Sequence, residues 1–255
     1  MTTTKAPKTS STSRRSCVKA ALPVSVHYER SRGDGSVIEF TFTEVDDGDF
    51  HIDAEPTGLA DRRMAVMSGE WAVARQVHGA DVVDASTIVA GGLDAHAAPE
   101  ADAIITDEPG RPIAVQGADC APLGFVTSKG PVAVAHAGWR GLASGIVDSV
   151  VNELAMRGAV VTEVLVGPVI GPGCYEFGSD DLDAVAGELG DVVRAETASG
   201  TPALDLRAAI RASCEAAGVE QVSFVRPCTG CSNGGFSHRA RKDTERHALA
   251  VRIRP

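Results

Sequence analysis

Short apolar runs bounded by glycine, proline or aspartate constrain the fold of this chain more than any other feature of its sequence. Such runs are typical of buried strands, and two longer β-branched or aromatic runs near the ends of the chain read the same way. The predicted strands are 37–43, 104–105, 113–115, 123–126, 132–134, 164–166, 222–225 and 248–253.

Two helices are predicted between these strands. Leu142, Ile146, Val150 and Leu154 recur at helical spacing ahead of Gly158, and 206–217 is a second helical segment that Asp205 precedes as its N-cap. Strands interleaved with helices, without the regular period of a barrel, predict one mixed α/β or α+β domain.

The predicted domain covers residues 22–255 and follows a basic tail, 1–21. Residues 1–19 hold five Lys or Arg and no acidic residue, among Ser and Thr that offer little to bury, so we expect a disordered tail. No run approaches the roughly 20 apolar residues of a membrane span, and no secretory signal is visible. We therefore expect a cytoplasmic protein that uses no membrane.

Charge and composition exclude further classes. The net charge of -10 and the aromatic content of 4% argue against a nucleic-acid partner, which needs a basic face or a stacking platform. The six cysteines are scattered through a chain long enough to form a full core, so we expect reduced thiols rather than structural disulfides.

Three segments next to strand-like runs are dense in groups that bind or react: 75–81, 117–122 and 136–141. They carry His78, Cys120 and His136, and one thiolate with two imidazoles is a suitable three-ligand set for Zn²⁺ with an open fourth position. Arg140 stands at the start of the helix after His136, where a guanidinium and free peptide N–H groups predict an anion site.

The same residues fit a second chemistry that needs no metal. Cys120 and His136 are a candidate nucleophilic pair in which the imidazole accepts the thiol proton. A further pattern, His27-Tyr28-Glu29 with the Pro-Cys-x-x-Cys of 227–231, matches both halves of zinc nucleobase deaminases. The halves lie 198 positions apart, which indicates coincidence, so we interpret Cys228 and Cys231 as reduced surface thiols or part of a local turn.

Seven stretches in about residues 71–254 resemble the YfiH family, also called laccase-domain proteins or peptidoglycan editing factors. They are R-Q-V-H-G-A-D-V (75–82), A-D-A-I-I-T-D (101–107), G-A-D-C-A-P-L (117–123), V-A-H-A-G-W-R-G-L (134–142), G-P-V-I-G-P-G-C-Y-E-F-G (167–178), L-D-L (204–206) and F-S-H-R (236–239). In that family the matching residues bind one zinc ion, which implies one Zn²⁺ per chain on His78, Cys120 and His136.

The resemblance also implies a fold and a reaction. The fold would be a single-domain mixed-sheet sandwich similar to the cytotoxic-necrotizing-factor-like fold. The reaction would be phosphorolysis of adenosine, inosine, guanosine or methylthioadenosine with phosphate as co-substrate, and deamination of adenosine beside it. The alternative is a metal-independent Cys–His hydrolase, for example one that edits peptidoglycan precursors. Copper polyphenol oxidation is not expected, because it needs several His-rich sites and the chain has seven His in all.

The predicted site residues form two groups. The catalytic group is His78, Cys120, His136 and Arg140, and the substrate-binding group is Arg75, Gln76, Ser237 and Arg239. We expect Asp119 to hold an arginine or a histidine from behind. The acidic segment 44–56 departs from the family, so the cavity wall that it forms is not predicted, and neither is the oligomeric state.

Overall fold

A computed structural model describes residues 25–89 and 97–254, so the predicted basic tail lies outside the described residues. The strands are β1 (Val26–Ser31), β2 (Val37–Phe42), β3 (Ala72–Val73), β4 (Val82–Asp84), β5 (Ala103–Thr106), β6 (Ile113–Gly117), β7 (Ala121–Thr127), β8 (Val132–Ala137), β9 (Val161–Val166), β10 (Arg194–Glu196), β11 (Pro202–Leu204), β12 (Val222–Phe224) and β13 (His247–Arg254). The helices are α1 (Pro56–Val66), α2 (Trp139–Ala143), α3 (Ile146–Met156), α4 (Ser179–Leu189), α5 (Leu206–Ala216) and α6 (His238–Arg241). None of the helices in these residues is long and apolar enough to cross a membrane.

Helix α5 begins where the sequence predicts, because the carboxylate of Asp205 accepts a hydrogen bond from the peptide N–H of Ala208. The other predicted helix differs from expectation. It is divided into α2 and α3 at Gly145, whose φ of 83° lies in the left-handed region that glycine enters without cost. The apolar spacing nevertheless holds, since Ile146, Val150 and Leu154 are fully buried.

Most of the strands form two mixed sheets. The first has the order β1-β2-β13-β6-β3, and the second has the order β12-β9-β7-β8-β5-β4. Neighbours pair antiparallel except for β3 with β6, β4 with β5 and β9 with β12, which are parallel. Strands β10 and β11 form a separate antiparallel ribbon. The prediction of a mixed α/β sandwich is confirmed.

The two sheets pack face to face, with helices on both outer sides. Phe40 and Phe42 of β2 lie between the sheets with apolar residues of β5, β7, β8 and β9. Helices α2 to α5 cover the outer face of the second sheet, and α1 covers that of the first. A Cβ at Gly167 would lie 2.5 Å from the Phe42 ring, so only glycine allows this approach.

The register of β7 and β8 brings two distant motifs together. Ala121 pairs with Ala137 and Pro122 with His136, so Cys120, one residue before β7, lies beside the end of β8. The loop that carries His78 connects β3 to β4, which are the strands that edge the two sheets. The site therefore forms at one rim of the sandwich, where loops from both sheets meet.

Candidate active site

His78, Cys120 and His136 form one cluster. One ligand atom from each lies within 4.8 Å of the other two. Cys120 Sγ is 3.8 Å from His78 Nε2, and the two imidazole rings meet edge to face with centroids 4.8 Å apart. His136 is buried whereas His78 is exposed, so the cluster opens toward solvent on one side.

Two residues of the cluster loops have backbone conformations that residues other than glycine rarely adopt. His78 has φ of 62° and Asp119, just before Cys120, has φ of 88°, both in the left-handed region. Gly138 lies against the cluster, because a Cβ there would be 2.8 Å from Cys120 Sγ and 3.1 Å from His78 Cδ2. Strained positions of this kind are typical of functional sites.

Asp102 holds both histidine-bearing segments. Its Oδ1 accepts hydrogen bonds from His136 Nδ1 at 2.8 Å and from the peptide N–H of His78 at 3.0 Å. Its Oδ2 accepts from the peptide N–H groups of Val77 and Gly79. With Nδ1 of His136 engaged, its Nε2 is left for the cluster. Although burial opposes the charge, bonds from His136 and Gly79 hold the pKa of Asp102 below its usual range.

Cys120 and His136 favour each other's charged forms. Burial raises the pKa of the thiol, but the neighbouring His136 outweighs it and lowers the pKa of Cys120 to about 6. Burial likewise disfavours the imidazolium, yet Cys120 and Asp102 raise the pKa of His136 to about 9. The surroundings of the sulfur therefore favour the thiolate, which is the form that binds metals and attacks electrophiles.

Asp119 connects the Cys120 loop to the C-terminal segment. Its carboxylate accepts hydrogen bonds from the hydroxyls of Ser237 and Thr229 and from the peptide N–H of Arg239, all between 2.6 and 2.7 Å. Asp119 thus holds the segment that carries Arg239, as the sequence suggests. The carboxylate that bonds to an imidazole is that of Asp102.

The cluster lies at a cavity of about 380 Å³, a size in the range of small-molecule sites. Three of the predicted substrate-binding residues line it. Arg75 pairs with Asp53 at 3.1 Å, and the Arg239 guanidinium lies 4.9 Å from the centre of the Tyr175 ring. The amide of Gln76 donates to the carbonyl of Gln116 and accepts from its N–H, so it joins the loop of His78 to strand β6.

Two predicted residues do not line this cavity. Ser237 is fully buried and gives its hydroxyl proton to Asp119. Arg140 points along the surface, with its guanidinium 4.3 Å from the centre of the Trp139 ring. Helix α2, at whose start the sequence predicts an anion site, has only five residues. Neither side chain lines the cavity, although Ser237 bonds to Asp119, which does.

Some of the residues that form the site are missed by sequence reasoning. Asp102 belongs to the A-D-A-I-I-T-D stretch, but the sequence does not indicate that its carboxylate bonds to His136 and to the loop of His78. Tyr175 lines the cavity. Its burial, and to a smaller extent the negative charge of nearby Cys120, raises the pKa of its phenol to about 12, which keeps the phenol protonated. His51 and Asp53, from the segment that departs from the family, also line the cavity.

The donor set fits a zinc ion. Two imidazoles and a thiolate within 4.8 Å of one another are ligands that Zn²⁺ accepts, and a carboxylate behind His136 is the usual second partner of a zinc-bound imidazole. In the described residues, Cys174, Cys228 and Cys231 also lie within 4.8 Å of one another, but this group contains no histidine and its Cys231 is disulfide-bonded.

Comparison with known proteins identifies a family. Residues 38–254 match the family described as multi-copper polyphenol oxidoreductase laccase. Purine nucleoside phosphorylase YlmD of Geobacillus stearothermophilus is 36% identical over 219 residues, which is 78% of this chain and 80% of that protein. Purine nucleoside phosphorylase YfiH of Escherichia coli is 35% identical over 179 residues, 69% of this chain and 71% of its own.

Two further matches are informative. Adenosine deaminase RL5, from an unknown prokaryotic organism, is 39% identical over 143 residues, 53% of this chain and 55% of that protein. The crystal structure of YlmD from G. stearothermophilus superimposes with a TM-score of 0.73 at 31% identity and covers 87% of this chain and 93% of its own.

Proposed function

Because the chain belongs to the YfiH, or laccase-domain, family, we propose that it is a zinc-dependent purine nucleoside phosphorylase with adenosine deamination as a second reaction. Relatives that align with most of the chain carry the first name, and RL5 carries the second. The observation that carries the proposal is the His78–Cys120–His136 cluster at a cavity that Arg75, Arg239 and Arg246 also line.

His78, Cys120 and His136 would hold the zinc ion. When bound, Zn²⁺ supplies Lewis-acid chemistry to an oxygen of phosphate or water. Asp102 fixes the ring of His136 through Nδ1 and the His78 segment through its peptide N–H groups. The two histidines are thereby oriented before any ligand arrives, which removes part of the entropic cost of assembling the site.

The arginines bind and orient phosphate. Arg239 is fixed by its hydrogen bond to the carbonyl of Glu176 and by the Tyr175 ring, and its remaining N–H groups suit phosphate oxygens. In phosphorolysis a phosphate oxygen bonds to the ribose carbon as the bond to the purine nitrogen breaks, and that nitrogen takes the electron pair and then a proton. Phosphate held by Arg239 and Arg75 stabilises the positive charge that develops on the sugar.

A metal-independent hydrolase, for example one acting on peptidoglycan precursors, is the second candidate. The order Asp102, His136, Cys120 favours it, because a carboxylate orients an imidazole that in turn holds the thiolate. We do not propose multi-copper oxidation. The chain has seven histidines, and two of them belong to the proposed zinc set.

Turnover and metal analysis test the proposal together. Protein purified without a chelator or metal-affinity tag should hold close to one zinc per chain. It should convert inosine to hypoxanthine and ribose 1-phosphate with phosphate present and not without it, whereas deamination of adenosine should not need phosphate. Active protein without zinc would favour the Cys–His hydrolase. Zinc-loaded protein that turns over neither nucleoside would contradict the proposal.

A further inference from the structure

A second cluster of sulfur atoms lies behind the cavity wall. Cys174, Cys228 and Cys231 place their sulfurs within 4.8 Å of one another, although the first two are 54 positions apart in the sequence. Cys174 and Cys228 are free thiols, and both are partly exposed. The interpretation of Cys228 and Cys231 as two reduced surface thiols is therefore confirmed for Cys228 and wrong for Cys231, which is disulfide-bonded.

The backbone around the two thiols permits their close approach. A Cβ at Gly230 would lie 2.6 Å from Cys174 Cβ, so the loop after Cys228 can press against Cys174 only because this residue is glycine. The peptide N–H of Gly171 donates to Cys228 Sγ at 3.1 Å. Such a donor stabilises negative charge that develops on this sulfur.

Each cysteine is one residue away from a group that forms the site. Cys174 precedes Tyr175, whose ring lines the cavity and supports the Arg239 guanidinium. Cys228 precedes Thr229, whose hydroxyl donates to Asp119 at 2.7 Å, directly before Cys120. A change in the distance between the two sulfurs therefore moves both sides of the site.

We propose that Cys174 and Cys228 are a redox pair that closes to a disulfide in the presence of a small-molecule disulfide such as glutathione disulfide, and that the closure lowers activity through Tyr175 and Thr229. The sulfurs must approach to about 2.05 Å, which shifts the segments that carry them. Misplacement of about 1 Å in a site can lower a rate up to ~100-fold.

The exchange balances without a further reactant. The Cys228 thiolate attacks one sulfur of the small disulfide, forms a mixed disulfide and releases one thiolate. Cys174 gives up its proton and attacks the sulfur of Cys228, which releases the second thiolate. Two protein thiols are oxidised, one small disulfide is reduced, and the two protons end on the released thiols. Burial and the neighbouring Cys228 raise the pKa of Cys174 to about 11, so closure should accelerate as the pH rises.

Peptide mapping and kinetics test the pair on zinc-loaded protein equilibrated in glutathione buffers of increasing oxidised fraction. We expect a Cys174–Cys228 crosslinked peptide, with a loss of ~10-fold in kcat/KM that dithiothreitol reverses. Cys174→Ser and Cys228→Ser should each keep the activity of the reduced protein and abolish both the crosslink and the loss. Cys214→Ser, which changes a buried thiol outside the cluster, should behave like the parent.

Three results would overturn the proposal: no crosslink at any ratio, a crosslink from either residue to Cys231 instead, or a complete crosslink with kcat/KM unchanged. The crosslink is mapped whether or not the protein turns over nucleosides, so failure of the proposed function remains distinguishable from failure of the redox pair.

Discussion

Cys120 lies beside two imidazoles that favour its thiolate form, and the surrounding geometry suits both a metal ligand and a nucleophile. Its sulfur is 3.8 Å from His78 Nε2, and its pKa is lowered to about 6 by His136 despite burial. Replacing it with alanine removes both roles, so that variant does not separate them. A residue that can bind metal but cannot form a thioester is needed.

Cys120→His should retain part of the zinc and some turnover if the mechanism uses a metal. Histidine offers a neutral nitrogen at similar reach, with Zn–N ~0.2–0.3 Å shorter than Zn–S. A covalent mechanism would lose all activity in this variant. Full zinc occupancy without turnover, together with stoichiometric trapping of wild-type Cys120 by a thiol-directed substrate analogue, would contradict zinc catalysis.

Asp102→Asn should lower zinc affinity by ~10- to 100-fold, because the carboxylate that orients His136 and accepts three peptide N–H groups becomes an amide. The NH₂ group of the amide then faces N–H donors, which also loosens the loop of His78. Zinc affinity is measured by competition with a chelating dye. Asp107→Asn changes an exposed carboxylate at the other end of β5 and should leave the affinity as it is. Equal affinities in the two variants would mean that Asp102 does not orient the site.

At the scale of elements, an ion pair connects β1, an edge strand of the first sheet, to β9, the strand next to the edge of the second. Arg30 of β1 donates to Glu163 of β9 at 2.7 Å and 3.2 Å, and Ser223 of β12 donates to the same carboxylate at 2.6 Å. Burial opposes ionisation of Glu163, but the bonds from Arg30 and Ser223 keep its pKa below its usual value.

Glu163→Gln should therefore destabilise the protein in a pH-dependent way. The depressed pKa contributes stability that is present above the unfolded pKa of about 4.3 and is lost as the pH falls through the lower folded pKa. We expect the variant to lose about 1–3 kcal/mol at pH 7 and the difference from wild type to shrink below pH ~4. Denaturant unfolding from pH 7 to pH 3 measures this, with the exposed Glu188→Gln as control. A constant difference over this range would refute the assignment.

Glycines in two different elements should respond in opposite directions to substitution. A Cβ at Gly124 of β7 would lie 2.7 Å from the Phe40 ring between the sheets, so Gly124→Ala should cost about 1–3 kcal/mol. Gly187 of α4 has open space around it, and alanine has the higher helix propensity. Gly187→Ala should therefore raise the free energy of unfolding by about 0.5–1 kcal/mol. Thermal unfolding compares them, and a neutral Gly124→Ala would mean that the sheets can separate at no cost.

At the scale of the whole molecule, the cavity concentrates guanidinium groups in an acidic protein. Arg75, Arg239 and Arg246 line it although the net charge of the chain is -10. An anion is therefore attracted by these three guanidinium groups and not by the electrostatic field of the whole protein, because salt at 0.1 M screens that field within about 10 Å.

Deletion of residues 1–19 should leave the melting temperature and the activity nearly unchanged. The segment holds five basic residues and no acidic one, and its composition offers little apolar surface to dock on the rest of the protein. Calorimetry and initial rates compare the two forms. A drop of several degrees would instead mean that the segment packs against the domain.

The sequence alone determined the class of the fold and the donor set, because both depend on local chemistry. Apolar runs between turn residues predict strands without knowledge of the tertiary fold, and Cys and His side chains are able to bind a metal wherever the fold brings them together. The helix expected from Leu142 to Leu154 shows the limit, since a left-handed residue, Gly145, divides it.

Tertiary structure decided which side chains meet. Asp102 rather than Asp119 holds His136, Ser237 is turned into the interior, and Cys174 lies beside Cys228. These contacts join residues tens to more than a hundred positions apart, and they depend on strand register and on the crossings between two sheets. Local propensity does not contain that information, because a hydrogen bond or a sulfur contact forms with whatever partner the packed elements bring within reach.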